Sequence, residues 1–96
     1  MDIKFAWDED KARSNEQKHG ISFEEASTIF ADPIAVIFDD PDHSDEESRE
    51  IIMGYSNRRR ILIVSFTHRD PTLRIISARR ATPRERDNHE RSLFGG

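Results

Sequence analysis

The 96 residues contain no cysteine. That excludes a disulfide framework and any thiolate metal site, and it permits a reducing compartment. Long hydrophobic runs are missing too. The longest uninterrupted apolar stretch is residues 34–38, IAVIF, against the roughly 18 residues needed to span a bilayer. The opening MDIKFAWDED lacks the extended apolar region of a secretory signal. A soluble cytoplasmic protein without membrane contact is expected. Internal repeats and low-complexity linkers are absent as well, and 96 residues can bury one modest core. Residues 1–96 are therefore read as a single domain.

What is present is charge. Charged residues make up 35% and hydrophobic residues 34%. That is polar for a globular domain, yet the apolar residues recur with helix and strand periods, which argues against disorder. The net charge of −4 hides a division. Residues 1–55 hold 5 basic and 15 acidic residues, a net of −10, whereas residues 56–96 hold 10 arginines and 4 acidic residues, a net of +6. No lysine occurs in that second half. The planar guanidinium pairs with phosphate at two points, so an arginine-only basic half suits a phosphate-rich ligand. The same arginines would equally suit acids of the first half or of a partner.

Residues 3–7, IKFAW, read as a short strand. Asp8 is an N-cap for a polar helix to about Lys18, with Glu9 and Asp10 in its first turn and Gly20 as its stop. Ser22 to Glu25 spells a capping box, and Phe23, Ala26, Ile29 and Phe30 then follow helical spacing until Asp32-Pro33. Strands are expected at 34–38, 49–55, 60–68 and 73–79, with turns at Ser56–Arg59, where Asn57 tolerates a left-handed conformation, and at Asp70-Pro71. Thr82-Pro83-Arg84-Glu85 is a second capping box, opening a charged helix to about Arg91, with a fraying tail from Ser92. The order β-α-α-β-β-β-β-α, with short links between the last four strands, implies an α+β fold: an antiparallel sheet with helices packed on one face. Trp7, Phe23 and Phe30 are expected in the core, and Tyr55 and Phe66 as the aromatics able to stack on a base.

Two separated blocks carry a resemblance. Phe5-Ala-Trp-Asp8, Lys18-His19-Gly20-Ile-Ser-Phe23-Glu-Glu-Ala26 and Phe30-Ala-Asp32-Pro33 look like the opening of BrnT-type toxins, and Arg74-Ile-Ile-Ser-Ala-Arg79-Arg80-Ala81-Thr82, with Glu85 and Arg86, looks like their closing motif. The likeness spans roughly residues 3 to 90. It implies a RelE-like fold and a cytoplasmic ribonuclease toxin of a type II toxin–antitoxin system that blocks translation. It also implies a BrnA-type antitoxin that neutralises the toxin, brings the DNA-binding element and represses the operon with it, in a heterotetramer. The substrate would be RNA, including ribosome-associated mRNA, and operator DNA would be met only through the antitoxin.

Metal-free RNA cleavage needs a group to deprotonate the 2′-hydroxyl, a group to protonate the leaving 5′-oxygen, and positive charge on the crowded phosphate. His68 is the leading acid/base candidate on chemical grounds, at the end of a strand, and Arg69 beside it is a further catalytic candidate; a hairpin at Asp70-Pro71 would bring both to the strand that carries Arg74 and Arg79. Arg79 is the phosphate clamp that both chemistry and resemblance select. With a strand period of two, Arg79 is expected to share a face with Ser77, Ile75 and Leu73, and Arg80 to share one with Ala78, Ile76 and Arg74. His19 is a further catalytic candidate, although a helix C-cap explains it as well. Arg74, Arg80, Lys18 and Tyr55 are candidates for substrate contact, and Glu85 is first a capping residue. No cofactor and no metal are expected. The acidic residues between Asp39 and Glu47 do not follow EF-hand spacing and read as a solvated loop. Two other classes remain open: a non-catalytic module acting as co-repressor with a DNA-binding partner, and a general single-stranded nucleic-acid binder.

Overall fold

The computed structural model describes residues 3–40 and 49–94. The expected acidic loop thus lies, from Pro41 onward, outside the described residues. The order is β1 (Lys4–Ala6), α1 (Glu9–His19), α2 (Phe23–Thr28) with a 3-10 turn at Ile29–Ala31, β2 (Val36–Asp39), β3 (Arg49–Tyr55), β4 (Ile61–Arg69), β5 (Thr72–Arg80) and α3 (Pro83–Phe94).

The helix ends follow the local chemistry. Asp8 Oδ1 accepts from the backbone N–H groups of Asp10 at 2.8 Å and Lys11 at 3.1 Å, and Gly20 closes α1 at φ 72°. Ser22 Oγ caps α2 by accepting from Glu25 N. The second half of that box is not made, because the Glu25 carboxylate instead accepts from Ser56 Oγ and pairs with Arg60. The α3 box is complete: Thr82 N donates to Glu85 Oε1 at 2.8 Å and Glu85 N to Thr82 Oγ1 at 3.1 Å. Helix α3 runs on through Phe94, past the fraying point expected at Ser92. In the Ser56–Arg60 turn the left-handed residue is Arg59, at φ 60°, not Asn57.

The five strands lie in the order β1-β5-β4-β3-β2. Strands β2 to β5 form the expected antiparallel meander. The sheet as a whole is mixed, because β1 returns to lie parallel beside β5, pairing Lys4 with Thr72 and Ala6 with Arg74. Three residues cover only the first part of that edge. Further along, Asn15 of α1 takes the place of a strand. Its side-chain nitrogen donates to Ala78 O at 2.9 Å and its side-chain oxygen accepts from Ala78 N at 3.1 Å.

The core lies between the sheet and α1–α2. Ile21, Phe23 and Ile29 from the helical layer meet Ile52, Leu62, Val64, Phe66 and Ile75 from the sheet. Phe5, Phe30 and Phe66 meet in succession, one pair tilted and the next edge-to-face, with ring centroids 5.1 and 5.0 Å apart. Phe66 is 1% exposed, so it is a core residue and offers no platform to a base.

The helices do not share one face. Met53 and Arg79 alternate with the core residues of their strands, so they face away from α1–α2. Helix α3 packs against that reverse face. The reason is local: β5 ends and Thr82-Pro83 starts α3 at once, and its capping glutamate is paired to Arg79. Among the described residues no helix is long and apolar enough to cross a membrane.

One irregularity resets the faces of β5. The register passes from Ser65↔Ser77 to Phe66↔Ile75, leaving Ile76 as an extra residue. Leu73 and Ile75 therefore face the core together with Ala78, while Arg79, Ser77 and Arg74 share the reverse face. The strict period of two had joined Arg79 to Ile75 and Leu73; the bulge overturns that grouping.

Candidate functional site

Directly opposed residues in antiparallel strands point to the same side. The rows on the reverse face are therefore Tyr55–Ile61, Met53–Ile63–Arg79, Ile51–Ser65–Ser77 and Arg49–Thr67–Arg74. Helix α3 covers the first rows: Tyr55 Oη donates to Glu90 Oε1 at 3.4 Å, and the Tyr55 and His89 rings lie 6.3 Å apart. The lower rows are polar, and Ser77 is exposed. The outcome is a sheet face half roofed by a helix and half open, with arginines at both ends of the open part.

Arg79 stands at the edge of the roof. Its Nη1 and Nη2 donate to the two Glu85 oxygens at 2.9 and 3.0 Å, and the two side chains remain 43% and 32% exposed. The Arg79 hydrogen bonds, with the backbone N–H of Thr82, hold the Glu85 carboxyl down at about 2, and the same pair raises the Arg79 value. Both groups stay ionised throughout the neutral range. Arg79 also donates to its neighbour's carbonyl at Arg80.

Beside this pair is a cleft of about 240 Å³ lined by Val36, Phe38 and Met53 from the sheet and by Glu85, Asn88, His89 and Ser92 from α3. Glu85 and His89 sit one helical turn apart on the same side of α3. His89 is 5% exposed, and its Nε2 has no hydrogen-bond partner. Burial and the Glu90 carboxylate push the Tyr55 hydroxyl above its ordinary value, so it remains a donor.

The other candidates fall elsewhere. His68 shares the core-side face with Phe66, whose ring lies 5.6 Å away, and its Nε2 is 2.8 Å from Glu50 Oε1. Five residues of β4 separate Ile63, the partner of Arg79, from His68, about 16 Å at strand rise. His68 and Arg79 thus lie on opposite sides and near opposite ends of the sheet, and one phosphate cannot touch both. The expected His68–Arg69–Arg79 constellation does not form; Arg69, opposite Thr72, is on the reverse face but at the far end of β4 from Arg79. His19 and Lys18 are exposed at the C-terminal end of α1, and Arg80, opposite Leu62, is on the core-side face. Arg74 and Tyr55 do share the reverse face with Arg79.

A family model described as ribonuclease toxin, BrnT, of type II toxin–antitoxin system matches residues 7–85. The chain belongs to the BrnT family. The Brucella abortus ribonuclease toxin BrnT, known from a 1.1 Å crystal structure, is 27% identical in sequence, with a TM-score of 0.64 over 84% of this chain and 99% of that one. Among curated proteins nothing matches.

Of the candidate site, the arginine block is the part that residue order displays. His89, Arg49 and Thr67 were not singled out. A spacing signal existed for His89, four residues after Glu85 in a capped helix. Arg49 and Thr67 gave none, since only strand register sets them beside Arg74.

Proposed function

We propose that this chain is a metal-independent endoribonuclease that binds single-stranded RNA across the open part of the α3 face. The observation that carries the reading is the Arg79–Glu85 fork, exposed at the boundary between the roofed and open halves of that face. Arg79 would hold the scissile phosphate and stabilise the charge that builds as the 2′-hydroxyl attacks. Glu85 is too acidic to take a proton efficiently near neutrality and serves to aim the guanidinium. His89, one turn from Glu85, is the imidazole this face offers for proton transfer, and the Tyr55 hydroxyl is a neighbouring donor.

In this reading the toxin acts in the cytoplasm, blocks translation by cutting RNA, and is neutralised by a BrnA-type antitoxin in a heterotetramer that reaches operator DNA through the antitoxin. The edge strand supports a protein partner. Val36, Ile37 and Phe38 are 41%, 53% and 42% exposed, and no lysine, proline or bulge blunts β2 before Asp39. An extended antitoxin segment with basic residues beside Asp39 would add a strand there.

The test is cleavage of a purified single-stranded RNA in EDTA by wild type, Arg79→Ala and His89→Gln, with folding checked by circular dichroism. Cleavage is expected for wild type, with a loss of about 100- to 1000-fold in Arg79→Ala. No cleavage by wild type, even with translating ribosomes added, would sink the catalytic reading.

A further inference from the structure

The row Arg49–Thr67–Arg74 lies at the open end of the face, away from Arg79. Thr67 is directly opposite Arg49 on one side and Arg74 on the other, with Cβ atoms about 5 Å apart in each pair. Both arginines are half-buried, and an arginine stem packs along apolar surface while its charged head favours water. Among the described residues neither guanidinium has an ion pair or side-chain hydrogen bond; Arg74 feels Asp8 only through space. The Asp8 carboxylate itself is already taken up by the backbone of α1.

Thr67 supplies the second observation. It is 2% exposed, and its Oγ1 is buried without a hydrogen-bond partner. A buried hydroxyl left unpaired is costly, and valine has the same shape and suits a strand as well. Thr67 sits in the row between the two arginines, and an oxyanion drawn in by their guanidinium groups would supply the partner its buried hydroxyl lacks. Four residues of β4 separate Thr67 from Ile63, the partner of Arg79, about 13 Å. One phosphate cannot reach both.

We propose that Arg49, Thr67 and Arg74 form a second phosphate subsite, which holds the RNA backbone at a phosphodiester away from the one at Arg79. This rests on the reading of the α3 face as the RNA surface. The subsite positions the strand and takes no part in bond breaking. Its anion is an RNA phosphodiester, and free phosphate shares the chemistry.

The probe is a fluorescein-labelled 2′-O-methyl oligoribonucleotide, which lacks the nucleophile for cleavage and so separates binding from catalysis. Its affinity is measured against salt for wild type, Arg49→Gln and Thr67→Val. Arg49→Gln is expected to lower the slope of log affinity against log salt by about 0.7, the share of one phosphate on a single strand. Thr67→Val, with no change of charge, is expected to weaken binding several-fold with a melting temperature no lower than that of wild type. In a second arm, inorganic phosphate is titrated while the Thr67 amide is followed by NMR. Unchanged RNA affinity and slope in both variants would overturn the proposal. Saturable phosphate binding at Thr67 with an unchanged RNA slope would reassign the site to a free anion and also overturn it. Cleavage of ordinary RNA with an unchanged slope would refute the subsite while leaving the ribonuclease reading intact; an altered slope without cleavage would do the reverse.

Discussion

On the α1–α2 face the sheet presents Leu62, Val64, Phe66, Ile75 and Ala78, all nearly withdrawn from water. The residues that alternate with them on the α3 face are Ile61, Ile63, Ser65, Thr67, Ser77 and Arg79. The first set is apolar, with Arg80 and His68 only at the two ends of its face, and is sealed by two helices and the Phe5, Phe30 and Phe66 rings. The second is apolar only near Tyr55 and Met53, where α3 rests, and then turns polar. Hydrophobic burial is concentrated on one side, and the polar groups of the proposed site lie on the other. A sheet with one complete core can leave part of its other face open to a ligand, because the dry side already supplies the hydrophobic burial that folding needs.

Substitutions on the two faces should therefore separate stability from activity. Phe66→Ala should have the largest effect, about 3–5 kcal/mol in urea unfolding, enough to unfold a domain this small, whereas Arg79→Ala should cost only what its half-exposed ion pair with Glu85 contributes, about 1 kcal/mol or less. Comparable losses from the two would erase the distinction. Asn15→Ala comes next. It strips the buried partner from the edge of β5 at Ala78 and should cost about 1–3 kcal/mol, and hydrogen exchange at the Ala78 amide should rise with it. An Ala78 amide that stays protected would show that α1 does not seal that edge.

The Glu85 pair offers a pH test. Its folded value, about 2, lies below the ordinary 4.5. Its contribution is therefore present above about pH 4.5 and is lost as the pH falls towards 2. The difference in melting temperature between wild type and Glu85→Gln should be constant near neutrality and close across that acid window; a difference that persists at pH 2 would mean the ion pair is not its source. The smallest effect on the free protein is expected from Ile37→Lys at the exposed edge, within about 0.5 kcal/mol. The same change should release a bound antitoxin if β2 is the docking strand, and an intact complex would remove β2 from that role.

Much of this was readable from residues alone. The β-branched runs and turn residues placed β3, β4 and β5 to within a residue or so, and Asp8, Gly20, Ser22 and Thr82 marked helix ends through hydrogen bonds made within a few residues of chain. The arginine-rich block around Arg79 stood out as a candidate through composition and motif. What was not readable depends on distant partners. Asn15 looked like one polar residue in a polar helix, and its role exists only because β1 stops at Ala6. His68 and Arg79 lie on paired strands, but the register sets His68 opposite Leu73 and on the other face from Arg79, and residue order does not display either fact.

The sequence by itself determined the element order, the helix caps, the apolar composition of the core and the arginine-only charge of the second half. Each is written in neighbouring residues, where backbone geometry and side-chain polarity act over short range. The tertiary structure alone decided which side of the sheet each arginine faces. One unpaired residue at Ile76 inverts the pattern, a parallel β1 closes the edge, and the fork between Glu85 and Arg79 binds α3 to the reverse face. Face and neighbour depend on register, and register is settled by the packing of the whole sheet.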